Sequence, residues 1–342
     1  MDSPKGILNV IRHIGPGIIL SGSVIGSGEL LVTTRMGARF GTIFLWGVIL
    51  CCVIKYFVQV ELGRYCISNN LTSIQAFNRF PIAKIRKTSV LNIFFFAVLA
   101  MITPGFAGTF GSCAGLLYSL FPTIPAGLWG IILFASVTAF LWRGTYTDIE
   151  KIVVVLVGSF SLSILICFFL LQGTTYHITG SELLSGLTFK VPEGGMLVAM
   201  ALMGSVGVTA AELFFYPYLI KEKGYGAHVG TRPATKTETW ALRQKGWVKV
   251  LKTDTLICTV IATVTTAAYY LVAASVFHYG LGRVPTGIGV VQGLAAMFTE
   301  SYGKWSYWLF MFGAFCALYS TLCVSAAAFG RLWTDFFYSL QI

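Results

Sequence analysis

Two glutamates lie deep inside stretches that are otherwise built for hydrocarbon. Glu29 closes "GSVIGSGEL" (22 to 30) and Glu212 closes "GSVGVTAAEL" (204 to 213), the second copy one residue longer between its Gly-Ser-Val and its Glu-Leu. A carboxylate at the centre of a membrane helix costs about 2.5 to 3.5 kcal/mol, so each needs a partner, a water-filled cavity or a ligand. The residues before them weaken a helix: Gly26 and Ser27 in the first copy, Gly207 and Thr209 in the second. Irregular backbone survives at depth only where it is buried or faces water. Glu29 and Glu212, with the carbonyls around Gly26, Ser27, Thr209 and Ala210, would make a hard oxygen site suited to a divalent ion such as Mg, Ca or Mn. Without a cation two neighbouring acids repel, and at least one takes up a proton, which is a route to proton coupling. Each glutamate could instead stay protonated or pair privately.

Lys55, in "CCVIKYFVQVELGRY", is the one base well inside an apolar run. It could neutralise Glu29 or Glu212, or pair with Glu61, although residues six apart do not face each other on one helix. A pair of glutamates with one lysine still leaves a negative site. The acids at segment ends, Glu61, Glu150 and Asp254, read as structural, through helix dipoles or salt bridges to basic loops.

These residues sit in a chain that only a membrane can hold. Of 342 residues 56% are hydrophobic and 11% charged, with a mean hydropathy of +0.78. Eight apolar runs approach or exceed the roughly 20 residues that a helix needs to span. They cover about 14 to 36, 42 to 66, 91 to 121, 126 to 142, 151 to 172, 195 to 220, 253 to 278 and 305 to 334. The fold class is therefore all-α and polytopic. The net charge of +11 is distributed by loop, Lys and Arg being dense before the first run and after the second, fourth and sixth. By the positive-inside rule both termini are cytoplasmic, as in a bacterial inner membrane or a plasma membrane. The charge thus reports topology, with anionic lipid as a secondary contact and no nucleic acid. The eight cysteines lie in or beside apolar runs without a CxxC pair and read as reduced packing residues. No HExxH, Walker loop, GxSxG or zinc spacing is present, which leaves an enzyme without a motif.

The polar stretch 221 to 252 divides five spans from three. Its second part, "TETWALRQKGWVKVLK", reads either as a helix lying on the inner leaflet or as a connector. Residues 285 to 301 read as a short helix on the opposite side. Pro104 and Gly105 bend the third span, Gly108, Gly111 and Gly115 offer a face for close helix contact, and Pro217 helps to unwind the sixth. The two Gly-Ser-Val copies head the two halves and run in opposite directions, the pattern of an inverted repeat whose broken helices meet near the midplane.

The first span, "GPGIILSGSVIGSGELLVTTRMGARFG" (15 to 41), resembles the first transmembrane helix of the Nramp family of divalent metal transporters. That family shows Gly-Pro-Gly, an Asp-Pro-Gly-Asn break and a second Gly-Ala-x-Phe-Gly. "GSVGVTAAELFFYPYL" resembles its second broken helix, and "DTLICTVIATVTTAAYYLVAASV" and "WLFMFGAFCALYSTLCVSAAAFGRLW" its seventh and eighth. The resemblance implies a LeuT-type fold of two inverted five-helix repeats, 1–172 and 173–342, the second with three helices only. It implies alternating access driven by an ion gradient; with the paired glutamates, the first reading is a symporter in which the metal is substrate and the proton the coupling ion, with no cofactor. Lys55 could then sit where a driving cation sits in related transporters.

The departures from the family are specific. Its Asp and Asn ligands fall at Gly26 and Glu29 here, with Ser27 at the Pro, and its Met-Pro-His falls at Ala211, Glu212 and Leu213. Loss of the thioether relaxes selectivity toward harder cations. Ten helices are expected and eight are legible, so either the frame is truncated or a partner supplies the rest. The other readings are a permease of the same fold for an amino acid or small organic molecule, and a transport-incompetent scaffold or partner subunit.

Overall fold

The computed structural model describes all residues except 1–3, 5, 27, 144, 193–194, 231–232, 234–236, 283, 285–288 and 342, and describes the backbone alone at 7, 28, 29, 31, 143 and 290. Within these residues the chain is helical, apart from a hairpin of Lys84–Ile85 with Thr88–Ser89.

The first span is two pieces. After α1 (Ile7–His13), α2 runs Pro16–Val24 and opens on Pro16, whose missing N–H costs nothing at the first helical position. The chain then leaves the helix and re-enters as a π-helical turn, Gly28–Thr33, that continues into α3 (Thr34–Phe40). The long α4 (Leu45–Asn69) and the short α5 (Ser73–Phe77), whose capping box joins Thr72 and Gln75, lead to the hairpin. The third span is α6 (Val90–Ile102) and α7 (Pro104–Leu120), parted at Thr103 as Pro104 requires. The fourth and fifth are α8 (Ala126–Arg143) and α9 (Tyr146–Leu171), followed by the small α10 (Gly180–Ser185).

The sixth span repeats the design of the first. α11 (Met196–Ser205) and α12 (Ala210–Glu222) are separated by four residues in which Gly207 has φ +69°, a left-handed position that a side chain would strain. The break therefore lies well before Pro217, which sits inside an unbroken α12 and does not unwind it. α13 (Tyr225–Val229) precedes α14 (Glu238–Ala273), which is one helix of 36 residues ending in a π-helical segment, Ala274–Leu281. The basic stretch expected as a separate connector or surface helix is thus the first turns of the seventh span itself. α15 (Gly289–Tyr302) is the short helix expected near 285 to 301, and α16 (Lys304–Leu340) is the eighth span.

Six helical segments among the described residues are long and apolar enough to cross a membrane. The remaining two expected spans are the broken first one and the shorter apolar helix Ala126–Trp142. The main core joins α2, α9, α14 and α16 through Leu20, Phe160, Cys258 and Leu318, all fully buried. A second cluster, around Phe44, Val48, Leu202 and Val206, ties α4 to α11. All eight cysteines are buried as free thiols. The expected small-residue face on α7 has no close neighbour at Gly108 or Gly111, where an added Cβ would meet nothing within 4 Å.

The start of α2 is held from the side. Asp254 of α14, with no exposed surface, accepts the Gly15 N–H at 2.9 Å, the Gly17 N–H at 2.7 Å and the Tyr216 hydroxyl of α12 at 2.9 Å. A carboxylate at a helix N-terminus meets both its orphan donors and its positive dipole end. Beside it Glu150 of α9 and Lys223 form a salt bridge at 2.7 Å. Both acids are structural, as their positions near segment ends suggested.

Candidate functional site

The two breaks face one another. Where α2 ends, Ile25 takes φ −87° and ψ 69°, and the Gly26 N–H turns back to Val24 O at 3.0 Å. Carbonyls near that end are met by hydroxyls of α16: Ser320 donates to Gly22 O at 2.9 Å, and Thr321 reaches Gly22 O at 3.3 Å and Ser23 O at 3.4 Å. The approach is so close that a Cβ on Gly26 would fall on Thr321 Oγ1. Gly26→Ala is therefore expected to cost about 1–3 kcal/mol, as overpacking does. Thermal unfolding in detergent reads it, and Thr321→Ala added to Gly26→Ala should recover part of the loss. No recovery would place the strain elsewhere.

At the second break Glu212 Oε2 accepts the N–H of Thr209, the residue that caps α12, at 2.6 Å. The Ser23 hydroxyl of the first break lies beside the same carboxylate and shares its cavity, 3.4 Å from the Ser325 hydroxyl. One carboxylate thus stands at the start of α12 and faces the end of α2. Between them lies a cavity of about 210 Å³, lined by Glu212, Ser23, Ser205, Thr209, Thr321 and Ser325, with Phe106 and Phe329 as apolar walls. Five hydroxyls and one carboxylate form an oxygen surface without sulfur, the donor set of a hard cation.

Of the residues expected from sequence, Glu212 and Thr209 line this cavity. The Gly26 carbonyl accepts the Leu30 N–H at 2.9 Å and the Thr209 carbonyl the Leu213 N–H at 2.9 Å, so each already serves a helix start. Ala210 is the first residue of α12. Ser27 and the side chain of Glu29 lie outside the described residues, the Glu29 backbone being in the π-helical turn. Among the described residues no three His, Cys, Asp or Glu side chains cluster as a metal cage. Sequence reasoning passed over Ser23, Thr321 and Ser325. The last two are four apart in the apolar α16, so they share a face, and that spacing was the available signal.

Lys55 does not pair with Glu61, which Arg64 holds at 2.6 Å on the exposed side of α4. Its ammonium donates to Val206 O at 2.5 Å and to Gly204 O at 3.4 Å, at the C-terminal end of α11. A fixed cation there suits the negative end of the helix dipole. Lys55→Met removes a charge-assisted bond and is expected to cost about 1.5–3 kcal/mol. Lys55→Gln, which keeps a donor, should fall between; a glutamine variant as stable as the parent in thermal unfolding would show that the charge contributes nothing.

The family described as natural resistance-associated macrophage protein-like, or Nramp, matches residues 17–342. The chain belongs to this family. Two curated relatives are named divalent metal cation transporter MntH. That of Verminephrobacter eiseniae is 25% identical over 284 residues, covering 81% of this chain and 58% of the relative. That of Staphylococcus saprophyticus is 23% identical over 223 residues, covering 63% and 47%. The chain thus spans about half the length of the curated relatives it matches. Among solved structures it is similar to the Eremococcus coleocola manganese transporter, with a TM-score of 0.72 at 18% identity, covering 99% of this chain and 69% of that one. MHP1, a nucleobase-cation-symport-1 family transporter in a closed conformation, gives a TM-score of 0.51 at 12% identity, covering 96% and 71%. The shared architecture is the LeuT-type fold, and this Nramp chain is an integral membrane protein whose first and sixth helices are broken.

Proposed function

We propose that this Nramp chain carries a divalent metal cation across the membrane as a proton-coupled secondary transporter, with the cavity between its two broken helices as the midplane site. The observation that carries this reading is the Glu212 carboxylate, which caps the second break and faces residues of the first across a hydroxyl-lined cavity. A cation held there would be bound by parts of both proposed repeats, 1–172 and 173–342, whose relative motion gives alternating access. The names of the two MntH relatives and of the manganese transporter support the substrate class. The basic side, carrying Lys245 and Lys249, is the cytoplasmic side in this reading.

A carboxylate-bearing organic substrate fits less well. The α12 N-terminus, the natural seat for such a group, has its Thr209 N–H taken by Glu212.

Reconstitution in liposomes tests the proposal. Uptake of Mn, Mg and Ca is measured with Glu29→Gln and Glu212→Gln alongside, while a pH-sensitive dye inside reports accompanying protons. Uptake unchanged in both variants would remove the site from consideration. No uptake by the parent, with uptake by a longer natural relative in the same assay, would show that this chain does not act alone. Metal uptake without internal acidification would sink the proton coupling.

A further inference from the structure

A cleft of about 780 Å³ opens between the basic end of α4 and the first turns of α14, far from the midplane cavity. Its charged lining is Arg64 of α4 with Lys245, Lys249 and Lys252 of α14, and Gln244 stands beside them. The lysines follow one another at four and three residues, so they share one face of α14 and span about 10 Å along its axis. All four bases are exposed. Arg64 is partly neutralised by Glu61, but among the described residues no carboxylate lies within salt-bridge distance of the three lysines.

The opposite face of this part of α14 is fixed. Trp247 is buried there, with its ring 4.7 Å from that of His228 and 5.7 Å from that of His13, and at the cleft's edge Gln244 donates to Ser68 of α4 at 2.7 Å. The lysine face is therefore held outward by packing. Beyond Lys252 the exposed side of α14 turns apolar, with Leu256 50%, Val260 52% and Val264 46% exposed. On α4 the same happens beyond Glu61, where Val58 is 48% and Phe57 62% exposed. These apolar surfaces belong to the lipid-facing part of two membrane-spanning helices. Lys252 thus stands one turn from the apolar surface, and Lys249 and Lys245 follow about 10 and 16 Å from it, a row that runs outward through the headgroup region.

We propose that this cleft is a binding site for the phosphates of an anionic phospholipid in the adjacent leaflet, with a doubly charged headgroup such as cardiolipin matching three lysines that form no salt bridge among the described residues. Basic pockets beside membrane helices take such headgroups, and each lysine near the surface contributes about fivefold in affinity, on the order of 100-fold for three. A bound headgroup braces α4, which carries Lys55, against α14, which carries Asp254.

The protein purified in detergent is titrated with cardiolipin, phosphatidylglycerol or phosphatidylcholine, and lipid retention is read by native mass spectrometry alongside the thermal unfolding midpoint. The parent should retain cardiolipin over phosphatidylcholine and be stabilised by it. Lys245→Ala/Lys249→Ala/Lys252→Ala should lose both effects, roughly 100-fold in apparent affinity, with an unchanged lipid-free midpoint because these side chains are exposed. Lys249→Glu should weaken binding on its own, and Lys84→Ala/Lys87→Ala, away from the cleft, should leave it intact. Equal cardiolipin retention by the parent and the triple variant would overturn the proposal. Equal stabilisation by inositol hexakisphosphate would do so as well, since the ligand would then be a free phosphate. Neither readout depends on transport.

Discussion

Glu212→Gln is expected to abolish most metal uptake while leaving the fold in place. The glutamine side-chain oxygen can still accept the Thr209 N–H, now met by Glu212 at 2.6 Å, so the start of α12 stays capped. What disappears is the negative charge that would balance a cation in the proposed site. A contact to a charged group is worth about 1.5–3 kcal/mol, so uptake at sub-saturating metal should fall on the order of 100-fold. Glu212→Ala removes the cap too, and adds about 1 kcal/mol of lost stability. The two variants therefore separate by thermal unfolding and coincide in uptake. A glutamine variant that transports as the parent does would show that Glu212 is only a cap, and the hydroxyls of Ser23, Thr321 and Ser325 would have to carry the ion by themselves.

The placement of Glu212 explains what could be read in advance. A glutamate after small residues in an apolar run is costly, so its depth and the nearby break were legible from "GSVGVTAAEL" alone. Its partner Thr209 was legible too, because a Thr three residues before a Glu is a capping box in any setting. The hydroxyl of Ser23 was not, since it arrives from 189 residues away and only the packing of α2 against α12 brings it near. The same distinction runs through the fold. Pro104 parts α6 from α7 by a local rule, the missing N–H, whereas Pro217 is accommodated inside α12 by its surroundings. Composition placed the basic stretch before the seventh span outside the hydrocarbon. That it continues α14 without interruption follows from Trp240 and Trp247 being buried, which fixes one side of the helix across the boundary.

Lys55 shows how a residue's role depends on what the backbone leaves open. On α4 alone it is an awkward base, and its sequence neighbours suggest Glu61. The break after α11 exposes carbonyls that no helix turn can satisfy, and these draw the ammonium across to Val206 and Gly204. The first break finds its donors differently, in the hydroxyls of Ser320 and Thr321 on α16. Related breaks in the two halves are thus stabilised by unlike chemistry, a charge in one and neutral hydroxyls in the other. A charged cap is fixed in place, while the neutral hydroxyls of Ser23 and Thr321 at the other break face the cavity.

Asp254→Ala is expected to produce the largest loss of stability of any single change on the basic side. The carboxylate gathers two backbone N–H groups of α2 and the Tyr216 hydroxyl of α12 with no exposed surface. Its removal leaves the two glycine N–H groups buried without that acceptor, while the Tyr216 hydroxyl keeps Thr255 Oγ1 at 2.9 Å, a cost of about 3 kcal/mol or more. Asp254→Asn keeps one acceptor oxygen but turns an amide toward one of the glycine N–H groups, so it should lose roughly half as much. Tyr216→Phe removes one hydroxyl, with its bonds to Asp254 and to Thr255 Oγ1, and is expected to cost about 1 kcal/mol, less than either, because Asp254 keeps two backbone bonds. Thermal unfolding of the three variants in detergent gives this order directly. A second measurement locates the effect: a cysteine placed at Ile14, next to Gly15, should react faster with a water-soluble maleimide in Asp254→Asn than in the parent background, because the start of α2 is freed. Equal reactivity, with stability lost, would mean that the Glu150–Lys223 salt bridge beside Gly15 and the Tyr225 hydroxyl bonded to His13 O at 2.7 Å suffice to hold α2, and that Asp254 stabilises α14 and α12 instead.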